Sequence, residues 1–199
     1  MEELLSLYKL KELEIKSRLN QFKNLSEEDQ FKEFLFCLLT PQSNAQRCWQ
    51  AVEEISNLED FNEENIYNIL KSRTRFHKTK TKRILNANSN WQTIKEKLQN
   101  PDTKELRNYL AENVNGYGLK EAGHFLRNVG LSNNQIAILD RHILRNLKTL
   151  NMIQEDKIKN KKSYLEIENT FLEFANKIKI PADELDLLFW SKENGEIFK

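Results

Sequence analysis

The sequence is poor in cysteine, glycine and proline. Cys37 and Cys48 are its only cysteines, which is too few for a disulfide framework or for a cluster held by four thiolates. Both lie in segments with helical periodicity, so we expect buried thiols. Five glycines and three prolines are also few for a sandwich of short strands joined by turns. These scarcities favour an all-α fold.

The chain also lacks an excess of either charge and lacks long apolar runs. The 31 basic and 30 acidic residues leave a formal charge of +1, so any nucleic-acid site must come from local clustering. No apolar run approaches the roughly 20 residues that a membrane span needs, and the acidic, amphipathic start lacks a secretory charge pattern. We therefore expect a cytoplasmic protein that does not associate with membranes.

Apolar residues recur at helical spacing along most of the chain. The first stripe predicts one amphipathic helix that ends near Asn24. Ser26 with Asp29 resembles a capping pair ahead of FKEFLFCLLT, whose continuous apolar character predicts a buried core helix. Further helices are predicted at QSNAQRCWQAVEEIS, ENIYNILK, KTKRILNAN, WQTIKEKL, DTKELRNYLAENV and KEAGHFLRNV, and around residues 141–150, 164–178 and 185–190.

Four of the five glycines fall within VNGYGLKEAGHFLRNVG, residues 114–130. Gly116 and Gly118 separate two helical segments, which predicts a tight hairpin between helices. Glycine allows positive φ and close approach of the backbone, and amides at the next helix N-terminus can bind a phosphate. An ordinary turn between helices would use glycine in the same way, so this cluster alone leaves both interpretations open.

A second phrase, AILDRHILRNL, follows the hairpin. It places Asp140 at the N-cap position of a helix whose buried face is apolar. Considered alone, Asp140 would be an ordinary cap and Lys120 an exposed lysine. The two residues gain significance only through the larger pattern that they form with the glycine hairpin.

NGYGLKEAGHFLRNVG followed by ILDRHILR resembles the helix-hairpin-helix motif of DNA glycosylase/lyases related to endonuclease III. KEAGHFLRNVG with LDRHILR is most similar to the archaeal-type 8-oxoguanine DNA glycosylases, a branch without a four-cysteine cluster. The resemblance runs from about residue 34 to the C-terminus. It implies two helical subdomains with a DNA-binding cleft between them: a barrel over residues 29–135 that contains the hairpin, and a second subdomain of residues 1–28 and 136–199.

The same resemblance implies a bifunctional DNA N-glycosylase and abasic-site lyase that excises 8-oxoguanine in base excision repair. The family's lysine after the hairpin glycines is the nucleophile, and the aspartate that opens the later helix is essential; here they are Lys120 and Asp140. A neutral amine attacks the sugar C1′ and forms a Schiff base that permits β-elimination, while the carboxylate stabilises positive charge on the sugar. This chemistry requires no metal or organic cofactor.

Other site residues also follow from the resemblance. Gln42, in LLTPQSNA, matches a side chain that helps to fill the gap left by the extruded nucleotide, although a polar turn residue would look the same. The terminal carboxylate of Lys199 could accept the N7 hydrogen of 8-oxoguanine, although chain ends commonly fray. The expected DNA contacts are Gly116, Gly118, His142, Arg145 and Gln42, and the expected base-recognition residues are Trp190 and Lys199.

The segment SRTRFHKTKTKR is locally basic, with Arg73, Arg75, Lys78, Lys80, Lys82 and Arg83 and no intervening acid. It could line the DNA backbone or form a solvated charged loop. His142 could equally be a structural histidine.

Three alternatives stay open at this stage. The chain could act on oxidised pyrimidines, or it could be a non-catalytic helix-hairpin-helix module that only binds DNA. A helical protein-interaction domain would explain the apolar stripes but not the glycine cluster.

We expect a nucleoid-associated monomer whose partner is double-stranded DNA containing oxidised guanine. LSNNQ after Gly130 is slightly longer than in the nearest relatives, which bears on the spacing of Lys120 and Asp140.

Overall fold

The computed structural model describes residues 2–99 and 102–199, apart from the side chain of Asn194. Within these ranges the regular secondary structure is entirely helical, so the all-α prediction is confirmed. The helices are α1 Glu2–Lys23, α2 Glu27–Leu39, α3 Ala45–Ser56, α4 Glu63–Arg73, α5 His77–Lys97, α6 Thr103–Asn113, α7 Leu119–Asn128, α8 Arg141–Thr149, α9 Lys161–Ile178 and α10 Ala182–Asn194.

Side-chain caps begin several of these helices at the positions that the sequence predicts. The Ser26 hydroxyl accepts from the amide of Asp29 at 3.1 Å at the start of α2. The Asp102 carboxylate accepts from the amide of Glu105 at 2.9 Å at the start of α6. Each cap satisfies an amide that has no partner within its helix and contributes about 1 kcal/mol.

Helix α5 corrects the prediction of two separate helices at KTKRILNAN and WQTIKEKL, because it continues from His77 to Lys97 without a break. In the polar stretch between them the side chains bond to carbonyls of the preceding turn without interrupting the helix. Ser89 Oγ donates to Leu85 O at 3.1 Å, and Asn90 Nδ2 donates to Asn86 O at 2.9 Å. Such local bonds normally compete with a helix, but here they are compatible with it.

The chain forms two compact units. The continuous unit is Leu25–Phe125, and the split unit combines Met1–Asn24 with Leu126–Lys199. The predicted division placed its boundaries at residues 28/29 and 135/136. The observed second boundary lies within α7, so this helix begins in the continuous unit and ends in the split unit. The functional division into a barrel and a subdomain that completes the active site stays a prediction.

Helix α2 forms the core of the continuous unit. Every residue from Glu33 to Leu39 is buried, and α2 packs against α3 and α5, as expected for a helix that is apolar on nearly all sides. Cys37 and Cys48 are fully buried, and neither forms a disulfide with a described residue. The Phe34 ring also contacts Trp91 and Phe125, with ring centroids 5.3 and 5.2 Å away.

Helix α10 is the core helix of the split unit. It packs against α1, α8 and α9, and its apolar residues Leu185, Leu187 and Leu188 are fully buried. Arg127, at the end of α7, makes a buried ion pair with Asp186, with Nη2 3.1 Å from Oδ2. Within residues 2–99 and 102–199, no helix is long and apolar enough to span a bilayer.

Candidate active site

The predicted glycine hairpin is present between α6 and α7. The amide of Tyr117 donates to Val114 O at 3.0 Å, and Gly116 has a φ of 103°. A Cβ on Gly116 would lie 2.6 Å from Cδ of Arg83. Glycine is therefore required at position 116 both by the backbone conformation and by the arginine packed against it.

Tyr117 anchors the hairpin to α2. Its hydroxyl donates to Phe34 O at 2.9 Å, and the two rings lie 5.2 Å apart. Burial raises the pKa of Tyr117 well above its usual value of 10, so the phenol remains a hydrogen-bond donor. The turn before α7 is thus fixed by both packing and hydrogen bonding.

Lys120 is the second residue of α7, directly after this fixed turn. Its side chain is 23% exposed, and Nζ lies 3.8 Å from Oε1 of Glu121. The other carboxylate oxygen of Glu121 accepts from the amide of Gly118 at 3.1 Å. The Gly118 amide is therefore engaged within the protein, whereas Lys120 keeps a partly exposed amine beside the hairpin.

The Cys48 thiol on α3 is an electrostatic neighbour of Lys120. Burial raises the pKa of Cys48 to about 11, and the ammonium groups of Lys80 and Lys120 oppose this shift only in part. The thiol consequently stays protonated at neutral pH and is a poor nucleophile. Cys48 is also fully buried, whereas the Lys120 side chain is partly exposed, so of the two groups only the amine is accessible.

Asp140 lies in the split unit and caps α8, as predicted. Its Oδ1 accepts from the amides of His142 at 2.8 Å and Ile143 at 2.9 Å. These two bonds fix the carboxylate at the positive end of the helix. Among the described residues only Oδ1 is engaged, so Oδ2 can accept a further bond or face a developing positive charge.

His142 and Arg145 follow Asp140 on α8. The ring Nδ1 of His142 lies 3.8 Å from Oε2 of Glu193, and Arg141 Nε donates to the ring Nε2 at 3.3 Å. Arg145 is exposed, as a contact with a DNA backbone requires.

Trp190 and Lys199 occupy one end of the split unit. Trp190 is half-buried near the end of α10, and its ring lies 6.2 Å from that of Phe198. Ile197 is only 6% exposed, so the segment after Gly195 is packed rather than frayed. Phe198, the residue before Lys199 in the chain, thus lies beside Trp190.

Gln42 lies in the α2–α3 turn, which we define as residues 40–44. The amide of Ser43 donates to Thr40 O at 3.0 Å, and this bond closes a turn with Pro41 and Gln42 at its centre. Gln42 has a φ of 55°, a conformation in which glycine or asparagine is usual. Its side chain is exposed.

The basic segment divides into exposed and buried residues in a way that its sequence does not reveal. Arg75, Lys78 and Lys82 are exposed, whereas Lys80 is 1% exposed. Both interpretations of the segment, a lining of the DNA backbone and a solvated charged loop, are therefore wrong for Lys80. One feature of the sequence does indicate that Lys80 is buried. Ile84 follows it by four residues, so the two side chains lie on the same, buried face of α5.

Phe76 is another residue whose position the sequence does not reveal. It is 55% exposed and has a φ of 58° at the N-cap of α5, with the Arg75 guanidinium 5.5 Å from its ring centre. A bulky residue in the left-handed region is uncommon. An exposed aromatic ring beside basic side chains can stack on a nucleobase.

The all-α architecture, the fixed glycine turn and the lysine that follows it define the chain as a helix-hairpin-helix protein. A family model described as 8-oxoguanine DNA glycosylase matches residues 15–180. A Fusobacterium nucleatum 8-oxoguanine DNA glycosylase/AP lyase is 39% identical, over 99% of this chain and 96% of the relative. A Methanocaldococcus jannaschii protein of the same name is 37% identical, over 89% and 86%.

Solved structures agree with this result. The M. jannaschii 8-oxoguanine glycosylase/lyase in complex with a 15mer DNA containing 8-oxoguanine superposes with a TM-score of 0.89 at 32% identity, with both chains covered completely. The Thermotoga maritima 8-oxoguanine DNA glycosylase gives 0.90 at 30% identity, covering 100% of this chain and 97% of that one. The chain belongs to the helix-hairpin-helix family of 8-oxoguanine DNA glycosylases.

Proposed function

We propose that this protein excises 8-oxoguanine from double-stranded DNA and then cleaves the abasic site, with Lys120 as the nucleophile. The proposal rests on one observation in a chain of this family. The partly exposed amine of Lys120 lies in the first turn of α7, directly after the glycine hairpin that Tyr117 anchors. The neighbouring Cys48 thiol is fully buried and stays protonated, so it does not compete with the lysine in this proposal.

The reaction begins when the neutral Lys120 amine attacks the sugar C1′. The N-glycosidic bond breaks, its electron pair leaves with the base, and the base takes up a proton. Ring opening gives a Schiff base between Nζ and C1′. Loss of a C2′ proton then expels the 3′ phosphate by β-elimination, and water releases the lysine.

Asp140 has an electrostatic role in this proposal. Its Oδ1 is held by two amides of α8, so the carboxylate needs little reorganisation when positive charge develops on the sugar. The free Oδ2 can also help to move protons. Removal of the charge should slow excision without removing the nucleophile.

The remaining site residues serve binding and recognition in this proposal. The hairpin at Gly116 and Gly118 and the α8 residues His142 and Arg145 contact the DNA backbone, and Gln42 fills the gap left by the extruded nucleotide. Trp190 and Lys199 read the base. The protein acts as a monomer on DNA that contains oxidised guanine, which implies a cytoplasmic location at the nucleoid.

Borohydride trapping tests the nucleophile and the substrate together. Duplexes that carry 8-oxoguanine, an oxidised pyrimidine or an abasic site are incubated with wild type, Lys120→Gln and a control, Lys71→Gln, at an exposed lysine of α4. We expect a covalent adduct on 8-oxoguanine DNA with wild type and the control, and at least about a thousandfold less with Lys120→Gln.

Other outcomes would change the proposal in defined ways. Trapping only on the duplex with an oxidised pyrimidine would show that this lesion, and not 8-oxoguanine, is the substrate. Persistent trapping by Lys120→Gln would reject Lys120 as the nucleophile. If the protein binds DNA but neither releases a base nor forms an adduct on any duplex, the proposed enzyme activity is rejected. The protein would then be a non-catalytic DNA-binding module.

A further inference from the structure

Lys80 is a buried lysine that the proposed chemistry does not use. Its side chain is 1% exposed, and its Nζ reaches into the α2–α3 turn. It donates to Leu39 O at 2.6 Å, to Pro41 O at 3.0 Å and to the Ser43 hydroxyl at 2.8 Å. An ammonium group has three donors, so all of them are used at the last residue of α2 and in the turn that follows it.

The three oxygen atoms converge on the ammonium for a structural reason. Leu39 is the last residue of α2, so its carbonyl has no partner within the helix and lies at the negative end of the helix dipole. Pro41 turns its carbonyl to the same point. The turn therefore has a cation-binding interior, which a side chain from α5 occupies.

Gln42 lies between two of the residues that Lys80 binds. Pro41 precedes it and Ser43 follows it, so the chain is held on both sides of the glutamine. The left-handed backbone of Gln42 is unfavourable for a residue with a side chain, and such conformations persist only where the surroundings impose them. The Lys80 hydrogen bonds supply that constraint.

The same turn is tied to the basic segment by a second bond. The Ser43 hydroxyl oxygen also accepts from the amide of Arg75 at 3.0 Å. Ser43 thus joins the turn that presents Gln42 to the turn that presents Phe76. Lys80 and Ser43 together connect two exposed positions of the continuous unit.

Lys80 remains a cation at neutral pH. Burial lowers its pKa to about 8; nearby Cys48 opposes this shift, whereas Arg83 and Arg75 add to it. A buried charge is unfavourable unless it is fully hydrogen-bonded. Loss of the ammonium would leave the oxygens that it binds without this donor.

We propose that Lys80 is a positioning residue for Gln42: its ammonium fixes the α2–α3 turn so that the glutamine side chain projects outward to fill the gap in the DNA. The functional part of this inference rests on the proposed function. A lysine that merely stabilised the fold would affect excision independently of Gln42.

The first test measures the turn in the free protein. Amide hydrogen exchange over residues 40–46 is compared for wild type, Lys80→Met, Ser43→Ala and the control Lys71→Met. We expect about tenfold faster exchange in Lys80→Met, confined to this segment, and no change in the control. Unchanged exchange in folded Lys80→Met would overturn the positioning role.

The second test asks whether Lys80 acts through Gln42. Single-turnover excision from an 8-oxoguanine duplex is measured for Lys80→Met, Gln42→Ala and the double variant. We expect each single variant to be about tenfold slower and the double variant to be no slower than the slower single. Multiplied effects, about a hundredfold in the double variant, would overturn the proposal.

Two further outcomes have distinct meanings. If wild type excises no 8-oxoguanine, the proposed function fails, whereas the exchange experiment still decides whether Lys80 fixes the turn. If Lys80→Met does not fold, Ser43→Ala replaces it in both tests, because it removes one of the three contacts and leaves the lysine in place. Normal exchange and normal excision in Ser43→Ala would then count against the proposal.

Discussion

At the scale of single residues, Asp140 serves the fold and, in the proposed mechanism, the chemistry. The oxygen that caps α8 is Oδ1, and the charge that would stabilise the sugar belongs to the whole carboxylate. An amide keeps the first property and lacks the second. The two contributions can therefore be separated by comparing two substitutions at one position.

We predict that Asp140→Asn folds with nearly wild-type stability but excises 8-oxoguanine about a hundred to a thousand times more slowly. Asparagine caps a helix as well as aspartate does, whereas Asp140→Ala should also lose about 1 kcal/mol of unfolding free energy. Single-turnover excision and denaturant unfolding measure the two effects. Wild-type excision by Asp140→Asn would contradict the electrostatic role.

At the scale of secondary-structure elements, the hairpin depends on one glycine more than on the other. Gly116 combines a left-handed backbone with a close arginine neighbour. Gly118 has an ordinary backbone, and a Cβ there would meet only the end of the flexible Glu121 side chain, at 3.3 Å. The spacing of glycines in the sequence does not distinguish the two positions.

We predict that Gly116→Ala lowers the free energy of unfolding by about 1–3 kcal/mol, and that Gly118→Ala lowers it by clearly less. Adding Arg83→Ala to Gly116→Ala should recover the stability lost through the steric clash with the arginine. The loss caused by the strained backbone at position 116 should remain. Denaturant unfolding of the four proteins gives the comparison. Equal losses in the two glycine variants would contradict the predicted difference, and no recovery with Arg83→Ala would show that packing against Arg83 contributes nothing.

The elements also show what local sequence can predict. The caps at Ser26, Asp102 and Asp140 were predicted because a cap depends on residues within one turn. The continuity of α5 was not, because polar residues there have low helix propensity and only the structure shows their bonds to the preceding turn. Lys80 was misassigned because one of its partners, Leu39 O, lies 41 positions away in the chain.

At the scale of the whole molecule, the net charge of +1 gives little general attraction for DNA. Binding must therefore depend on local cations, of which the exposed Arg75, Lys78 and Lys82 form one group. Each cation that neutralises a phosphate releases counterions from the duplex. The slope of log Kd against log salt concentration therefore measures how many phosphate contacts the protein makes.

We predict that Lys78→Ala makes the dependence of log Kd on log salt concentration shallower by about 0.9. The loss should be similar for undamaged and 8-oxoguanine duplexes, because a phosphate contact does not read the base. Fluorescence anisotropy at several salt concentrations measures the slope, with Lys9→Ala on α1 as the control. An unchanged slope in Lys78→Ala would remove the basic segment from the DNA-binding surface.

The division of the chain into a continuous and a split unit also orders events during synthesis. Helix α1 leaves the ribosome before the continuous unit does, yet its partner α10 is made after that unit: Tyr8 donates to Glu184, 176 positions later, at 2.6 Å. Domains generally fold as units while the chain emerges, so the continuous unit with Lys120 can form while α1 still exposes Ile15 and Phe22. The nascent protein can thus order Lys120, the proposed nucleophile, well before the helix bundle around Asp140 can close. Competence for repair is reached only when the two distant ends of the split unit meet.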